Sequence, residues 1–395
     1  MIKKLLPTMI GAALVGGMAP AIADVTVFGH LDTSIDYEDQ KNSTTNLNCN
    51  TCSLGFKGSE DLGNGLKAIF KLDFQFDMTE RNGKTSVKKG AAVAGRTVGT
   101  PSQTTGTAPT AGTAFQVTGT APNAVTSVKD TDSITDRDQW LGLAGNFGQV
   151  RFGTISTVYK SHGAMIDPVY RTSVQGRGIG LQSGLHTGAG EDGQGRAEDT
   201  FRYDSPSWNG LKVGAHYTMQ TDRGNSTDSP FGVGAQYKNG PFLVFADYIT
   251  SDNGGDDDAY KLGGKWTFGN YALFGQYEFD GGLISARGIN LGTGFIKSGS
   301  VQGGNKGNKG DGADVWFIGG TGKFGNNMVY AAYGQGDKTT GNDVDINNSY
   351  DSWEIVGVHS LSKRTSAYLG YANIAPDANS ELGADVVTLG MKHKF

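Results

Sequence analysis

Residues 53–78 read SLGFKGSEDLGNGLKAIFKLDFQFDM, and this stretch decides the fold class. Every even-numbered residue from Leu66 to Phe76 is apolar, whereas the odd-numbered residues between them include Lys67, Lys71 and Asp73. Successive side chains of a β-strand point to opposite faces, so this pattern predicts a strand with one apolar and one polar face. The preceding DLGNG has the composition of a tight turn. The stretch is therefore predicted to form a hairpin whose strands are unusually long.

The apolar face of this hairpin must contact something apolar, and two environments are possible. In a soluble sandwich, a second sheet would cover the apolar face. In a transmembrane barrel, lipid would cover it, and the polar face would line a water-filled lumen. The hairpin alone does not distinguish between them.

The N-terminus indicates the cellular compartment. Lys3 and Lys4 precede an apolar segment from Leu5 to Ala19, and residues 21–23 read AIA. This is the pattern of a secretory signal peptide over residues 1–23, with the mature domain at 24–395. The alternative, an anchoring helix, is disfavoured because the apolar segment is too short to span a bilayer.

Composition narrows the class further. Removing residues 1–23 removes two lysines and leaves 32 basic against 39 acidic residues, a net charge of −7 that argues against a nucleic-acid partner. The chain has 62 glycines, many aromatic residues, no later run of 18 apolar residues and little helical periodicity. These features predict an exported all-β protein.

Counting segments with period-two alternation gives sixteen strands, joined alternately by short turns and long polar loops. The predicted spans are 25–38, 51–60, 65–80, 132–145, 149–154, 196–205, 210–221, 230–238, 241–250, 258–268, 271–280, 312–324, 328–336, 350–361, 365–373 and 384–395. This alternation is typical of a barrel with turns at one membrane face and loops at the other, and a sandwich has no reason to obey it. Aromatic residues near the turns, such as Trp266 and Tyr271, fit interfacial girdles better than a soluble core. The sequence therefore predicts a 16-stranded antiparallel transmembrane β-barrel with short periplasmic turns and long external loops.

Residues 82–131 are low in complexity and are predicted to form one of these loops.

The chain offers little for catalysis or for metal binding. Cys49 and Cys52 are its two cysteines, and this single CxxC is a weak zinc signal. In an exported protein we expect a local disulfide that tightens the first external loop, with free thiols as the alternative. The six histidines are dispersed and no nucleophile motif is present, so we expect no catalytic residue, no metal site and no cofactor.

Several stretches resemble the trimeric general porins of Gram-negative outer membranes. They are VTVFGHLDTSIDY at 25–37, LGFKGSEDLGNGLKAIFKLD at 54–73, WLGLAGNFGQVRFGT at 140–154, RAEDTFRYDSPSWNGLKVGAHY at 196–217, LSKRTSAYLGYA at 361–372 and VVTLGMKHKF at 386–395. The resemblance covers the strands of the mature chain and leaves the loops unmatched. It implies a homotrimer in the cell outer membrane, in contact with lipid and lipopolysaccharide, through which ions and small hydrophilic solutes diffuse passively.

The resemblance also implies a constriction, because in that family the third external loop folds into the barrel. Here that loop corresponds to residues 155–195, with acids Asp167, Glu191 and Asp192. Alternation directs a set of basic residues on the opposite wall toward the lumen, namely Lys57, Lys67, Lys71, Arg151, Arg196 and Arg202. Arg196 matches a wall arginine of the family, whereas three other basic positions are occupied by His30, Ser53 and Thr154.

Three of four family charges are thus replaced by residues without a fixed charge. We expect a softened transverse field and weak ion selectivity, leaning to cations because of the net charge of −7. The alternative is a solute-specific channel of the same fold. That reading requires lumenal aromatic residues or an arginine ladder, and the sequence offers few of either.

Overall fold

The computed structural model describes residues 24–39, 43–79, 134–187, 195–219, 230–252, 256–287, 310–341, 344–346, 349–377 and 383–395. Some predictions lie outside these described residues. They are the signal peptide at 1–23, the low-complexity loop at 82–131, and the loop acids Glu191 and Asp192.

The described chain is almost entirely strand. Its strands are β1 (Asp24–Asp39), β2 (Thr44–Cys49), β3 (Ser53–Gly63), β4 (Leu66–Phe76), β5 (Ile134–Gly145), β6 (Gly148–Ser156), β7 (Arg196–Asp204), β8 (Leu211–Thr218), β9 (Phe231–Asn239), β10 (Phe242–Asp252), β11 (Asp256–Phe268), β12 (Tyr271–Gly281), β13 (Gly310–Asp311), β14 (Val315–Phe324), β15 (Asn327–Gly336), β16 (Thr339–Gly341), β17 (Val344–Ile346), β18 (Tyr350–Ser360), β19 (Thr365–Pro376) and β20 (Ala384–Lys394). Two short helices are present, α1 (Val158–Gly163) and α2 (Leu283–Arg287), with single 3₁₀ turns at Gly176–Gly178 and Gly184–His186.

Sixteen of these strands close into one antiparallel barrel, as predicted. The order around the barrel is β1, β3–β12, β14, β15, β18, β19 and β20, and β20 pairs with β1 to complete the circle. The first and last barrel strands meet at this seam, where the backbones of Gly29 and Phe395 exchange hydrogen bonds of 3.1 Å in both directions. The predicted spans agree with the observed strands to within a few residues.

The structure adds two features that alternation did not predict. β13, β16 and β17 form a separate three-stranded sheet that does not belong to the barrel. β2 extends the pairing of β1 beyond the point where β3 begins, so that one barrel strand is interrupted at residues 50–52.

Short turns join the hairpins at one end of the barrel. Between β3 and β4, Asn64 and Gly65 have φ values of 53° and 77°. Positive φ at both central residues gives the turn that best matches the twist of paired strands, which explains the Asn-Gly sequence.

The wall is apolar on its outer face, and its inner face is polar except where the chain between β6 and β7 packs against it. Outward residues such as Leu262, Ile318 and Leu389 are 55%, 58% and 56% exposed. The buried apolar cluster lies inside the barrel instead, where residues 159–185 pack on the inner faces of β10–β20. In the described ranges neither helix is long and apolar enough to cross a bilayer.

Candidate pore constriction

The chain between β6 and β7, which we call the internal loop, enters the barrel over its described residues. It is described over residues 157–187 and at Gly195. Thr157 begins α1 by accepting a hydrogen bond from the backbone N–H of Lys160 through its side chain. Arg202 of β7 donates to Ser161 Oγ (2.9 Å) and so holds α1 against the wall.

Buried polar groups of β11 and β12 fix the two ends of the described internal loop, near Tyr159 and Ser183. Glu278 of β12 accepts hydrogen bonds from the Tyr159 hydroxyl (2.8 Å) and from the hydroxyl of Ser183 (2.5 Å). Lys261 of β11 is fully buried, where its ammonium group donates to the carbonyl of Tyr159 and lies 3.3 Å from the carboxylate of Asp247. These buried charged groups are thus paired and hydrogen-bonded, which offsets the free-energy cost of removing them from water.

The middle of the internal loop is fixed by β18 and β20. Tyr350 donates its hydroxyl to the carbonyl of Gly180 (2.7 Å), and Lys392 donates to the carbonyl of Tyr170 (2.6 Å). Because the loop covers the inner faces of β10–β20, the open passage lies between the loop and β3–β7.

The wall across this passage carries charged pairs that a bulge creates. Between the pairs Leu72–Gln139 and Phe74–Asp136, Arg137 and Asp138 of β5 oppose the single residue Asp73 of β4. Such a bulge disrupts strict alternation and turns both residues inward. The Arg137 guanidinium bonds Gln75 (2.7 Å) and lies 3.4 Å from Asp73. Asp138 receives Lys71 and Arg196, each at 3.1 Å.

The internal loop presents further cations to this wall. The guanidinium carbons of Arg177 and Arg171 lie 4.8 Å and 5.8 Å from the ring centre of Tyr170. Burial alone would raise the pKa of Tyr170, but Arg177, Arg171, Arg137 and Arg196 together lower it below the usual value. Four arginines, two from the internal loop and two from the wall, thus act on the hydroxyl of Tyr170.

His30 of β1 contacts this group from the wall, near the middle of the internal loop. Its Nδ1 lies 2.9 Å from Nη1 of Arg171, and its Nε2 lies 3.3 Å from Oγ1 of Thr51. Arginine is only a donor, so Nδ1 accepts and the ring hydrogen resides on Nε2, which donates to Thr51. His30 is thus a neutral link between wall and loop.

The remaining wall residues that the sequence singled out lie nearer the turns. Arg151 and Arg202 both bind Asp204, Arg202 at 2.7 Å, which balances much of their charge. Lys57 lies beside Lys71, with both ammonium groups over the ring of Phe28 at 5.6 Å and 5.5 Å. Lys67 is exposed near the β3–β4 turn and pairs with Asp61 across the hairpin.

Asp167 does not face the basic wall as the sequence analysis expected. Its carboxylate accepts the backbone N–H groups of Val169 (2.9 Å) and Gly176 (3.0 Å) and closes a turn within the internal loop. Burial raises the pKa of Asp167 to about 6, although these two hydrogen bonds act in the opposite direction. Asp167 is the only acid among residues 157–187. In the described part of the loop, therefore, arginines and not carboxylates face the wall.

Sequence reasoning missed Arg137, Asp138 and Asp73. Strict alternation places Arg137 on the same face as Leu141, where an arginine would meet lipid. That conflict is the signal that could have revealed the bulge. No group of three or more potential metal ligands is gathered in the described ranges.

A closed 16-stranded barrel that is apolar outside, polar inside and narrowed by an internal loop is a membrane channel of the porin class. A sequence model of the Gram-negative porin family matches residues 11–379. The chain belongs to this family. It is an outer-membrane porin, through which small solutes diffuse passively, and its family and relatives indicate a channel and not an enzyme.

The similarity of this chain to known proteins extends over nearly its whole length. Major outer membrane protein P.IB of Neisseria gonorrhoeae is 24% identical over 98% of this chain and 99% of its own. Among solved structures, an anion-selective porin from Comamonas acidovorans is 21% identical with a TM-score of 0.64, covering 95% of this chain and 100% of that one. The trimer form of OmpT from Vibrio cholerae is 13% identical with a TM-score of 0.59, covering 94% and 99%.

Proposed function

We propose that this porin is a weakly selective homotrimeric channel whose constriction prefers small anions. The observation that carries the charge preference is the imbalance between the internal loop and the facing wall of β4, β5 and β7, where five cationic residues lie against two carboxylates. The cations are Lys71, Arg137, Arg171, Arg177 and Arg196, and the carboxylates are Asp73 and Asp138.

This preference differs from the cation lean that the net charge suggested. Ions sense the potential where the passage is narrow and water is scarce, whereas charges at a distance are screened within about 10 Å. The carboxylates of Asp73 and Asp138 offset part of the positive charge, so the preference is expected to be weak.

The decisive measurement is the reversal potential of single channels in a KCl gradient. The unmodified channel is expected to favour chloride, and Arg137→Gln combined with Arg196→Gln is expected to shift the potential toward potassium. Arg364→Gln, in the exposed β18–β19 turn, is the matched control and should leave the potential unchanged. A channel that favours potassium before any substitution would contradict the proposal.

Trimer formation is supported by the distribution of interfacial aromatic residues on the outer wall. Tyr and Trp prefer the headgroup level of a membrane. Among strongly exposed Tyr and Trp of the described part, Tyr37 alone lies on β20, β1 and β3–β7. The others lie on or beside β8–β19: Trp208, Tyr217, Tyr237, Tyr260, Trp266, Tyr271, Tyr333 and Trp353. We propose that β20, β1 and β3–β7 face neighbouring protomers, and that β8–β19 face lipid and lipopolysaccharide.

A solute-specific channel is the second candidate, favoured by the pair of guanidinium groups on Arg171 and Arg177. Such groups recognise carboxylates and phosphates by paired hydrogen bonds. Block of the KCl current by micromolar concentrations of an organic dicarboxylate or phosphate would support this candidate over general diffusion.

A further inference from the structure

The Cys49–Cys52 disulfide lies in the barrel wall, where the strand opposite β1 is interrupted. The two Cα atoms are 5.8 Å apart. Between the pairs His30–Ser53 and Thr33–Cys49, β1 has two residues and the facing chain has three. The disulfide therefore closes a bulge of the wall, and its role is not confined to the first external loop.

This bulge directs two polar side chains into the barrel. The Asn50 amide donates to Asp32 (3.0 Å) and to Ser34 (2.7 Å), both on the inner face of β1. The hydroxyl of Thr51 contacts the ring of His30 on the same inner face. Thr51 has a φ of 56°, a left-handed conformation that is unfavourable for a β-branched residue unless its surroundings hold it.

A continuous set of contacts connects the disulfide with the constriction. The disulfide closes the bulge that holds Thr51, Thr51 accepts the Nε2–H of His30, and His30 accepts from Arg171 of the internal loop at 2.9 Å. Arg171 itself has a φ of 70° and donates its backbone N–H to the side chain of Gln175 (3.2 Å). Its position thus depends on contacts with its surroundings.

We infer that the Cys49–Cys52 disulfide is a positioning element of the channel: through Thr51 and His30 it holds Arg171 at the constriction, so reducing the disulfide alters ion flow. Thr51, His30 and the two cysteines act through Arg171 and need not contact the permeating ion. The inference rests on the channel function of the family. Its main readout, current noise, does not depend on the sign of the charge preference.

The disulfide would be reduced by thiol–disulfide exchange. A dithiol such as dithiothreitol attacks one sulfur as a thiolate, forms a mixed disulfide and then closes to its own cyclic disulfide. The reagent loses two electrons and two protons, and Cys49 and Cys52 gain them as two thiols. Cys49 is partly exposed and Cys52 is buried, so Cys49 is the accessible point of attack.

The test is single-channel recording of the full-length protein in a planar bilayer before and after treatment with dithiothreitol. Alkylation and mass spectrometry confirm that two thiols have formed. Reduction is expected to raise open-channel current noise by about twofold or more and to move the reversal potential toward that of Arg171→Gln. The double variant C49S/C52S should reproduce the reduced channel without reagent.

Two substitutions distinguish positioning from a general loss of structure. Thr51→Val removes the hydroxyl that His30 contacts, so reduction of this variant should add little further noise. Thr33→Val alters the neighbouring β1 position opposite Cys49, away from this set of contacts, and should retain the full response. Arg171→Gln should also be insensitive to reduction, because the group that moves is absent.

Two results would overturn the inference. One is equal noise and reversal potential in the oxidised and fully reduced protein. The other is a response to reduction that persists undiminished in both Thr51→Val and Arg171→Gln. Reduction is applied to folded channels already inserted in the bilayer. The comparison of the oxidised with the reduced protein therefore tests the inference even when a variant fails to fold.

Discussion

The carboxylate of Asp167 is held inside the internal loop by the backbone N–H groups of Val169 and Gly176. Burial disfavours its charged form and raises the pKa to about 6, above the ordinary value of 3.8. Folded protein therefore binds this proton more tightly than unfolded protein does. The resulting stabilisation is present below the ordinary pKa and is lost as pH rises through the folded value.

From this difference we predict that the free energy of unfolding falls by on the order of 3 kcal/mol between about pH 4 and about pH 7. In Asp167→Asn the amide keeps one of the two oxygen acceptors and carries no charge, so this part of the pH dependence should disappear. Urea unfolding in detergent at both pH values measures the difference. Identical pH dependence in the variant and the parent protein would contradict the assignment.

His30 illustrates how a neighbouring group decides the role of a side chain. At this position the family pattern has a fixed charge, and a histidine suggests a weaker one. Beside Arg171 and Thr51, however, His30 accepts one hydrogen bond and donates another, which is possible only for the neutral ring.

At the level of elements, the internal loop depends on hydrogen bonds to a buried ion pair between β10 and β11 and to Glu278 of β12. Lys261 is fully buried and contacts the Tyr159 carbonyl, Asp247 and His186 Nε2 (3.1 Å). Removing one partner of a buried pair leaves an uncompensated charge, which typically costs about 3–5 kcal/mol. Substitution of Lys261 is therefore expected to weaken the attachment of the internal loop to the wall.

We predict that Lys261→Met lowers stability by on the order of 3 kcal/mol and increases current fluctuations, because Asp247 loses a buried counter-charge. The control is Lys265→Met, on the same strand and the same face, where the lysine is half-exposed over the ring of Phe274. Thermal unfolding and single-channel recording measure both effects. Equal behaviour of the two variants would show that the buried pair does not hold the loop.

For the whole molecule, the outer wall has two kinds of surface. Exposed aliphatic residues such as Ile35 and Leu389 pair directly across β1 and β20, on the face that carries few interfacial aromatic residues. Leu273 and Ile318 are similarly exposed on β12 and β14, between aromatic residues. Fluid lipid fills a space left by a smaller side chain, whereas a packed protein interface keeps part of it as a cavity.

We therefore predict that Ile35→Ala with Leu389→Ala lowers the temperature at which the trimer dissociates in detergent. Leu273→Ala with Ile318→Ala, the matched pair on the lipid face, should leave that temperature nearly unchanged. Electrophoresis of heated and unheated samples measures the dissociation. A larger effect of the second pair would place the interface on the opposite face of the barrel.

Much of the architecture follows from local sequence patterns. The alternation in β4 and the Asn64–Gly65 turn predicted a hairpin, and repetition of such hairpins predicted the barrel and its strand number. Arg137 escaped this reasoning because a single extra residue in β5 reverses its orientation. The interruption at residues 50–52 escaped it for the same reason.

The sequence by itself determined the barrel, its apolar exterior and its membrane location, because alternation within a strand needs no knowledge of distant residues. Only the tertiary structure decided which charges meet at the constriction. Tyr159 and Glu278 are 119 positions apart, and His30 and Arg171 are 141 apart, so no local pattern relates them. Their contacts arise because closing the barrel brings the internal loop against walls formed by distant parts of the chain.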